Sequence, residues 1–325
     1  MLYNFSHFSD AYKESRKYLK EGVVAKFPPY VTFQLVNRCN FRCIMCPVSY
    51  VKSNKNELDF TLFKKVIDEI AKYGSLIRFI GYEEPLLYSN IKEAISYVKS
   101  KGLKLHITTN GSLLNDDLIN FIIEKKVDSI VFSFQGLSQN EYMIMRNISE
   151  DKYKKVLKNI QSLYEKRVEK LPFMNITTTI TKRDDLISKE EFIKLHSNYS
   201  DEVQITGFTH FIHIDEYFKK PEIWSELSIE KPTQKESVKC FLPNYEMLIK
   251  YNGDIIQCCG AFSDEMRIAN IKDLSLYDIW HSKKADKIRE MINNGNLTCF
   301  SDCKVCPIRY SYAEIENSIS DMIKN

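Results

Sequence analysis

The sequence has no long apolar segment. Its first twenty residues, MLYNFSHFSDAYKESRKYLK, carry acidic and basic side chains where a secretory signal needs an unbroken apolar core. Elsewhere the apolar runs fall far short of the roughly 20 residues that a membrane-spanning helix requires. These absences predict a cytoplasmic protein with no membrane partner.

The sequence also lacks an excess of either charge, and glycine and proline are scarce. The 46 Lys and Arg are interleaved with 43 Asp and Glu, so the net charge is only +3 and no nucleic-acid partner is indicated. Ten glycines and nine prolines leave no room for a long disordered tract. At 325 residues, the chain is long enough for one large domain and a smaller unit.

Nine cysteines are the unusual part of the composition. Disulfides are rare in the reducing cytoplasm, and an odd number of thiols cannot pair completely. Metal binding or redox chemistry therefore explains these cysteines better than disulfide bonds do.

Short β-rich apolar runs alternate with stretches whose apolar residues recur every three or four positions, which is typical of alternating strands and helices. Six strands are predicted, at Val31 to Val36, Leu76 to Gly81, Leu105 to Thr109, Ser129 to Phe134, Asn175 to Ile180 and Val203 to Gly207. Five helices are predicted, at Leu62 to Tyr73, Ile91 to Ser100, Asp116 to Lys125, Tyr153 to Lys166 and Lys189 to Ser197. Helical crossovers indicate a parallel sheet, whose functional groups gather at the carboxyl ends of its strands.

This alternation ends near residue 210. Residues 216–239 are charged and have no clear period, so they are predicted to be a linker. The elements expected after it are a hairpin with strands at Tyr245 to Tyr251 and Ile255 to Cys259, one helix at Leu274 to Ile292 and a last helix at Tyr312 to Ile323. The Asn252-Gly253 pair suits the tight turn of that hairpin.

Three cysteines, Cys39, Cys43 and Cys46, lie within eight residues, directly after the first predicted strand. Thiolates bind zinc or iron-sulfur clusters, but a closed structural zinc site needs four ligands and only three are local here. A 4Fe-4S cluster held by three cysteines keeps one iron open to a small molecule. We therefore predict a catalytic cluster in this loop, with a zinc loop or inert buried thiols as the structural alternatives.

The Cys-x3-Cys-x2-Cys spacing resembles the signature of the radical SAM superfamily. In that family the open iron chelates the amino and carboxylate groups of S-adenosylmethionine, and reduction of the cluster yields a 5'-deoxyadenosyl radical. The resemblance implies a three-cysteine 4Fe-4S cluster and S-adenosylmethionine as cofactors. It also implies reduced flavodoxin or ferredoxin as the electron donor. One departure is Met45, where the family usually has an aromatic residue.

Three later segments are similar to further parts of the family pattern, each at the end of a successive predicted strand. The segment GYEEP at 81–85 resembles the Gly-Gly-Glu-Pro stretch that receives the methionine amino group, with Glu83 in place of glycine. The segment TNG at 109–111 resembles a common Thr-Asn-Gly turn. The segment SFQG at 133–136 resembles Ser-x-Asp-Gly, with Gln135 in place of aspartate.

Tyr142 and Arg146 follow, as in the family pattern. Arg146 either forms a forked contact with the cofactor carboxylate or is a solvated helix residue. The cofactor contacts that the resemblance implies are Gly81, Glu83, Glu84, Thr109, Asn110, Ser133, Gln135 and Arg146. The sequence assigns no catalytic acid or base, and His106 is expected to be a core residue on a buried strand.

A second cysteine group consists of Cys240, Cys258, Cys303 and Cys306. Four thiolates in two separated pairs suit either zinc or a fully ligated 4Fe-4S cluster. With Gly253 five positions before Cys258, the arrangement resembles the SPASM domains of radical SAM enzymes and their shortened Twitch relatives. No cysteine follows Cys306, which implies one auxiliary 4Fe-4S cluster.

Two cysteines, Cys259 and Cys299, are left outside the ligand set. Cys259 is expected to point away from Cys258 on a strand and to be a small buried residue. Cys299 is either a free thiol or a replacement for one of the four ligands.

Taken together with the alternation of strands and helices, the resemblance implies an α/β protein, a partial (βα)6 TIM-like barrel with a small C-terminal auxiliary cluster domain. The expected units are an N-terminal extension at 1–29, a radical SAM core at 30–215, the linker at 216–239, a SPASM/Twitch-like domain at 240–310 and a C-terminal helix at 311–325.

The resemblance also implies an activity, in which the radical abstracts a substrate hydrogen. Similarity to dehydrogenases with one auxiliary cluster suggests oxidation of a small alcohol such as a sugar or cyclitol. A maturase of a peptide or protein side chain is the alternative, although the roughly 30 residues before Val31 are too few for the docking domain that such enzymes often carry. A zinc-binding interaction module is the alternative of another class.

Overall fold

The computed structural model describes residues 22–180, 189–207, 240–296 and 299–304. Several sequence predictions lie outside the described residues: most of the N-terminal extension at 1–29, the linker at 216–239, Cys306 and the C-terminal helix at 311–325.

One open sheet organises the described part of the chain. Its nine strands are β1 (Tyr30–Phe33), β2 (Leu76–Phe79), β3 (Leu105–Thr109), β4 (Ser129–Ser133), β5 (Phe173–Ile180), β6 (Glu202–Gly207), β7 (Glu246–Ile249), β8 (Asp254–Ile256) and β9 (Arg267–Asn270). Their spatial order is β6-β5-β4-β3-β2-β1-β7-β8-β9, so β6 and β9 are the edges. Strands β1 to β7 pair in parallel, whereas β8 is antiparallel to both of its neighbours.

Nine α-helices, the first six of which connect the parallel strands, lie in the described ranges. They are α1 (Phe60–Ile70), α2 (Ile91–Ser100), α3 (Asp116–Glu124), α4 (Gln139–Arg146), α5 (Glu150–Lys166), α6 (Lys189–His196), α7 (Leu276–Trp280), α8 (Lys283–Asn293) and the short α9 (Ser301–Lys304). Several of these helices start with a side-chain cap. In α1, for example, the Asp59 side chain accepts a hydrogen bond from the Leu62 N–H. The apolar residues of α1 that recur every three or four positions, such as Phe63 and Ile67, are buried.

The two faces of the sheet differ in polarity. On the face toward the helices, Phe33 and Phe79 pack against Phe63 of α1, with ring centroids 5.2 and 6.0 Å away. The next residue along each strand points to the other face, and neighbours in register share a face. Thr32, Arg78, His106 and Ser129 are such neighbours across β1 to β4, and all four are buried. The face away from the helices therefore carries a polar row, formed by these four buried side chains.

The structure confirms the α/β class and the six predicted parallel strands, with ends shifted by up to three residues. Three features differ from the sequence prediction. The helix expected over Leu274 to Ile292 is two helices, because Ser282 is extended and its hydroxyl accepts the Ala285 N–H as a new cap. Helix α4 and strand β9 were not predicted. The predicted hairpin is present, and its strand β7 extends the core sheet by pairing with β1.

A positive φ at Gly136 allows the turn between β4 and α4. At φ +81° an added Cβ would lie 2.5 Å from the Cβ of Glu141, whose carboxylate accepts the Leu137 N–H at 2.8 Å. We expect Gly136→Ala to lower the free energy of unfolding by about 3 kcal/mol, because it adds a clash to the left-handed strain. Gly74→Ala, at φ +73° with open space around it, is the matched control and should lose only about 1 kcal/mol. Equal losses in urea titrations of the two variants would contradict the clash.

Candidate functional site

The first cysteine loop follows β1 and is folded by its own hydrogen bonds. The Cys46 N–H donates to the Cys43 carbonyl at 3.1 Å, and the Ser49 hydroxyl donates to the same carbonyl at 2.8 Å. The Ile44 N–H donates to the Met145 carbonyl of α4 at 3.0 Å. The loop is therefore attached to a helix about 100 positions further along the chain.

Water has limited access to these thiols. Cys43 is buried, and Cys39 and Cys46 are half-buried. Burial, reinforced by the nearby Glu84 and Cys43, raises the pKa of Cys39 to about 12. Burial beside Cys43 likewise raises the pKa of Cys46. Since metal ligation needs thiolates, binding of a metal centre by these thiols would release protons.

Glu84 joins the ends of β2 and β3. Its carboxylate accepts the Thr109 hydroxyl at 2.6 Å and the Asn110 N–H at 2.8 Å, and all three residues are buried. Its own N–H donates to the Arg38 carbonyl at 3.0 Å, immediately before Cys39. Burial raises the pKa of Glu84 despite these hydrogen bonds. Three of the predicted cofactor contacts thus form one buried network next to the cysteine loop.

Asn110 extends this network to the first cysteine. Its side-chain nitrogen lies 3.8 Å from the Cys39 sulfur and 3.0 Å from the Asn40 side-chain oxygen. The Ser112 hydroxyl donates to the Asn110 side chain at 2.6 Å and accepts from Asn40 at 2.8 Å. The turn after β3 is therefore held against the cysteine loop by side chains from both segments.

Gly81 and Glu83 lie in the loop after β2 but do different things. A Cβ at Gly81 would lie 3.1 Å from the Cβ of Gln34, so glycine here permits close packing against the chain after β1. Glu83 Oε2 accepts the Val36 N–H at 2.6 Å, whereas its Oε1 is buried and has no partner. Burial raises the pKa of Glu83 well above its usual range.

Ser133 and Gln135 lie at the carboxyl end of β4, as predicted. Ser133 is the last residue of the strand and is half-buried, while Gln135 is buried. The following Gly136 carbonyl accepts the Thr178 hydroxyl of β5 at 2.7 Å. Because the strands are parallel, both side chains lie at the sheet edge that carries the cysteine loop.

Arg146 is not the solvated helix residue that the sequence left open. It lies at the end of α4 and is only 6% exposed. Its Nη1 donates to the Cys43 sulfur at 3.3 Å, and its Nε and Nη2 are buried with no hydrogen-bond partner. The hydroxyl of Tyr142, one turn earlier, is also buried and unpartnered.

Helix α4 itself has a signal in the sequence that was overlooked. Ser138 and Glu141 form a capping box, in which each side chain accepts from the backbone of the other. The Ser-x-x-Glu pattern predicts such a helix start. Recognising it would have placed Tyr142 and Arg146 on one helix face.

The unpartnered atoms provide a test of whether a cofactor fits. A buried polar atom without a partner costs about 1–3 kcal/mol and is uncommon. Glu83, Tyr142 and Arg146 leave such atoms beside the cysteine loop. Guanidinium donors suit a carboxylate and a carboxyl oxygen suits an amino group, and these are the two polar groups of a methionine moiety. The residues present therefore fit S-adenosylmethionine beside a cluster in this loop.

The second cysteine group is partly described. Cys240, Cys258 and Cys303 are half-buried, and Cys306 lies outside the described residues. The Asp302 carboxylate, next to Cys303, accepts the Phe262 N–H and the Ser263 N–H, each at 3.1 Å. The segment that follows Cys258 is therefore joined to the segment of Cys303. Within the described ranges, no three His, Cys, Asp or Glu side chains are gathered tightly enough to hold a single metal ion.

Cys259 and Cys299 differ in their surroundings. Cys259 is not on a strand as expected, because β8 ends at Ile256. Its N–H donates to Glu246 at 3.3 Å, and burial raises the pKa of its thiol to about 12, with Glu246 adding to the effect. Cys299 is exposed.

Tyr82 links the loop after β2 to the second cysteine group. Its hydroxyl donates to the Gly260 carbonyl at 3.1 Å, and its ring meets Phe262 edge-on with centroids 5.0 Å apart. Gly260 lies two residues after Cys258. The segment beside the first cysteine loop thus contacts the segment of the second group directly.

An ion pair within the sheet was also missed. Arg78 of β2 and Glu246 of β7 are both buried, with Nη2 and Oε2 2.7 Å apart. Arg78 Nε donates to the Thr32 hydroxyl at 2.9 Å. Charged residues inside predicted strands were the signal, but the sequence does not tell which of them meet. His106 is buried in the same row, as predicted, and bonds to Ser129 at 3.0 Å.

Two family models match the chain. Residues 33–186 match the Radical SAM superfamily, and residues 240–307 match the SPASM iron-sulfur cluster-binding domain. Both matches agree with the cysteine positions described above.

Known proteins resemble the chain over most of its length. The tungsten-containing aldehyde ferredoxin oxidoreductase cofactor-modifying protein of Pyrococcus furiosus is 24% identical over 85% of this chain and 87% of its own. The S-adenosyl-L-methionine-dependent 2-deoxy-scyllo-inosamine dehydrogenase of Niallia circulans is 19% identical over 85% of this chain and 91% of its own. The crystal structure of Streptococcus suis SuiB bound to the precursor peptide SuiA has a TM-score of 0.62 at 17% identity, covering 94% of this chain and 82% of that one. The structural likeness shows a shared fold.

Within the described ranges, every helix is too short or too polar to cross a membrane.

Proposed function

Because this chain belongs to the radical SAM superfamily and carries a SPASM domain, we propose that it oxidises a small polyhydroxylated substrate such as a sugar or cyclitol. Its cofactors are a 4Fe-4S cluster, S-adenosylmethionine and an auxiliary iron-sulfur cluster. When bound, these groups would supply a 5'-deoxyadenosyl radical to take the hydrogen atom from the hydroxyl-bearing carbon and an acceptor for the second electron, and the hydroxyl proton would pass to solvent as the ketone forms. The side chains of the protein bind, orient and shield the reactants.

The cysteines divide between the two clusters. We assign Cys39, Cys43 and Cys46 to the catalytic cluster, and Cys240, Cys258, Cys303 and Cys306 to the auxiliary cluster. The support for the first set is its position at the carboxyl end of β1, beside buried polar atoms that lack partners. Reduced flavodoxin or ferredoxin is the proposed electron donor.

The remaining site residues hold the cofactor in this proposal. Arg146 donates from Nε and Nη2 to its carboxylate, and Glu83 Oε1 accepts from its amino group. Ser133 and Gln135 hydrogen-bond to ribose hydroxyls. Four residues shape the walls of the site, since their contacts are with other parts of the protein: Gly81, Glu84, Thr109 and Asn110.

The observation that carries the substrate class is the polar row on the sheet face away from the helices. His106 hydrogen-bonds to Ser129 and, at 3.1 Å, to Thr108. Asn175 and Thr177 continue this polar character on β5, with Thr177 donating to Asn175 at 2.9 Å. Hydroxyl, amide and imidazole groups can both donate and accept, which suits a substrate rich in hydroxyls.

Two further points support oxidation as the reaction. One relative is a dehydrogenase of 2-deoxy-scyllo-inosamine. In addition, the contact of Tyr82 with Gly260 joins the proposed cofactor loop to the proposed auxiliary cluster segment, which gives the second electron a short route. A peptide substrate is the competing outcome that the experiment must separate.

We expect anaerobically reconstituted protein, given S-adenosylmethionine, dithionite and a panel of polyols and cyclitols, to form a ketone and 5'-deoxyadenosine in equal amounts. Cys258→Ala should lose ketone formation at least tenfold while still forming 5'-deoxyadenosine, because only the acceptor of the second electron is removed. Cys299→Ala, which changes an exposed cysteine outside the proposed ligands, should retain both products. Chromatography with mass spectrometry measures them. 5'-Deoxyadenosine without an oxidised carbon in any polyol, or a mass change on a peptide instead, would overturn the proposal.

A further inference from the structure

We infer that Arg146 sets the reduction potential of the catalytic cluster through its contact with Cys43, and that cofactor binding changes this potential through the same side chain. The inference rests on the proposed function only for the identity of the cluster and the cofactor. Its basis is that one guanidinium has a donor engaged by a thiol and two further donors that are not engaged.

The position of Arg146 is fixed from both sides. The capping box of Ser138 and Glu141 holds the start of α4, and the hydrogen bond from Ile44 to Met145 holds its end against the cysteine loop. The guanidinium carbon also lies 5.7 Å from the ring centroid of Tyr142, within the range of a cation–π contact. The 3.3 Å contact with the Cys43 sulfur is therefore built into the backbone arrangement.

The electrostatic effect has a definite sign. Reduction adds a negative charge to a cluster, and a buried cation next to one of its sulfur ligands stabilises that charge. Arg146 therefore raises the potential of the cluster, which makes it easier to reduce. Burial keeps this effect strong because solvent does not screen it.

Cofactor binding should weaken this effect. A carboxylate that accepts from the free Nε and Nη2 neutralises the guanidinium and competes with the sulfur for its charge. The contribution of Arg146 to the potential is then smaller with cofactor than without it. By linkage, the oxidation state of the cluster and the affinity for the cofactor depend on each other through this residue.

The chain offers a matched control three residues from Cys39. Arg42 is exposed, and its Nη1 donates to the carbonyls of Cys39 and Phe41 rather than to a sulfur. Arg42→Gln therefore removes a charge of the same sign, from the cysteine loop itself, without removing a thiol contact. Arg146→Gln removes the charge and the contact together.

The test is an anaerobic redox titration followed by electron paramagnetic resonance, without substrate. The variants are made in a Cys258→Ala background, which lacks the proposed auxiliary cluster, so that the remaining signal belongs to the catalytic cluster. We expect Arg146→Gln to lower the ratio of reduced to oxidised cluster about tenfold at a fixed potential, which is about 59 mV for one electron. Arg42→Gln should change that ratio by less than about twofold, because its charge is screened. Adding S-adenosylmethionine should change the cluster potential of both proteins. The change in the wild type should be more negative than the change in Arg146→Gln.

Arg146→Lys covers the case in which Arg146→Gln loses its cluster. Lysine keeps the charge but cannot serve the sulfur and the carboxylate at once. Without cofactor, the cluster potential of Arg146→Lys should lie near the wild-type value. The shift in this potential when S-adenosylmethionine binds should differ from the wild-type shift. A potential of Arg146→Gln equal to that of the wild type, or a shift of Arg146→Lys equal to that of the wild type, overturns the inference. If the protein did not oxidise polyols but the variants still showed these differences in potential, only the proposed function would be refuted.

Discussion

Cys43→Ala protein should form no detectable 5'-deoxyadenosine. Cys43 is the buried member of the first cysteine group, and two half-buried thiols alone do not hold a cubane. The iron content should fall from about eight to about four per chain as one of two 4Fe-4S clusters is lost. The protein should stay brown, since the auxiliary cluster keeps its absorption at about 400 nm.

Chromatography of the nucleoside product and an iron assay on the same sample check this expectation. Cys299→Ala is the control, because it removes an exposed thiol outside both proposed ligand sets. If the Cys43→Ala protein still cleaved S-adenosylmethionine, or if the wild-type loop held zinc, the assignment of Cys39, Cys43 and Cys46 to the catalytic cluster would be refuted.

The second large effect concerns stability. We expect Glu246→Ala to lower the free energy of unfolding by about 3–5 kcal/mol, because it leaves the buried charge of Arg78 without its partner. The pair joins β2 to β7, and β7 is the strand by which the C-terminal hairpin pairs with β1. The loss should therefore appear in the unfolding of the whole sheet rather than of the hairpin alone.

Two companion variants identify the cause. Asp117→Ala breaks the exposed pair with Lys92 and should leave stability unchanged within error. The double variant Arg78→Met with Glu246→Leu should recover most of the loss, because it removes both buried charges and fills a similar volume. Urea titration of the anaerobic holoprotein measures all three. A loss below about 1 kcal/mol for Glu246→Ala would show that Arg78 finds another partner or reaches water.

Much of the fold was predictable because its pattern is local. The apolar periods of α2 and β3 predicted their bounds as the structure has them. The break at Ser282 was missed because the helical period continues across it, and only the cap of α8 reveals it. Helix α4 was not predicted because its signal in the sequence is the capping pattern of Ser138 and Glu141, which apolar periodicity does not include.

In the candidate site, the positions of residues were predictable from the sequence, whereas their contacts were not. The positions of Glu84, Thr109 and Asn110 at strand ends followed from sequence order, since parallel strands bring their carboxyl ends to one edge. Their contacts did not follow from it. Glu84 bonds to Thr109 and Asn110, and Gly81 packs against Gln34, so part of the predicted cofactor set is occupied by the protein itself.

Sequence alone determined the cysteine loop, because three thiols within eight residues share a loop whatever surrounds them. It also determined the alternation of strands and helices, because a period of two or 3.6 is a property of one segment. Only the tertiary structure decided that Arg146 meets Cys43, 103 positions away, and that Arg78 meets Glu246, 168 positions away. Such contacts depend on the order of strands in the sheet and on which distant segments the fold brings together, and neither is encoded in the pattern of any single segment.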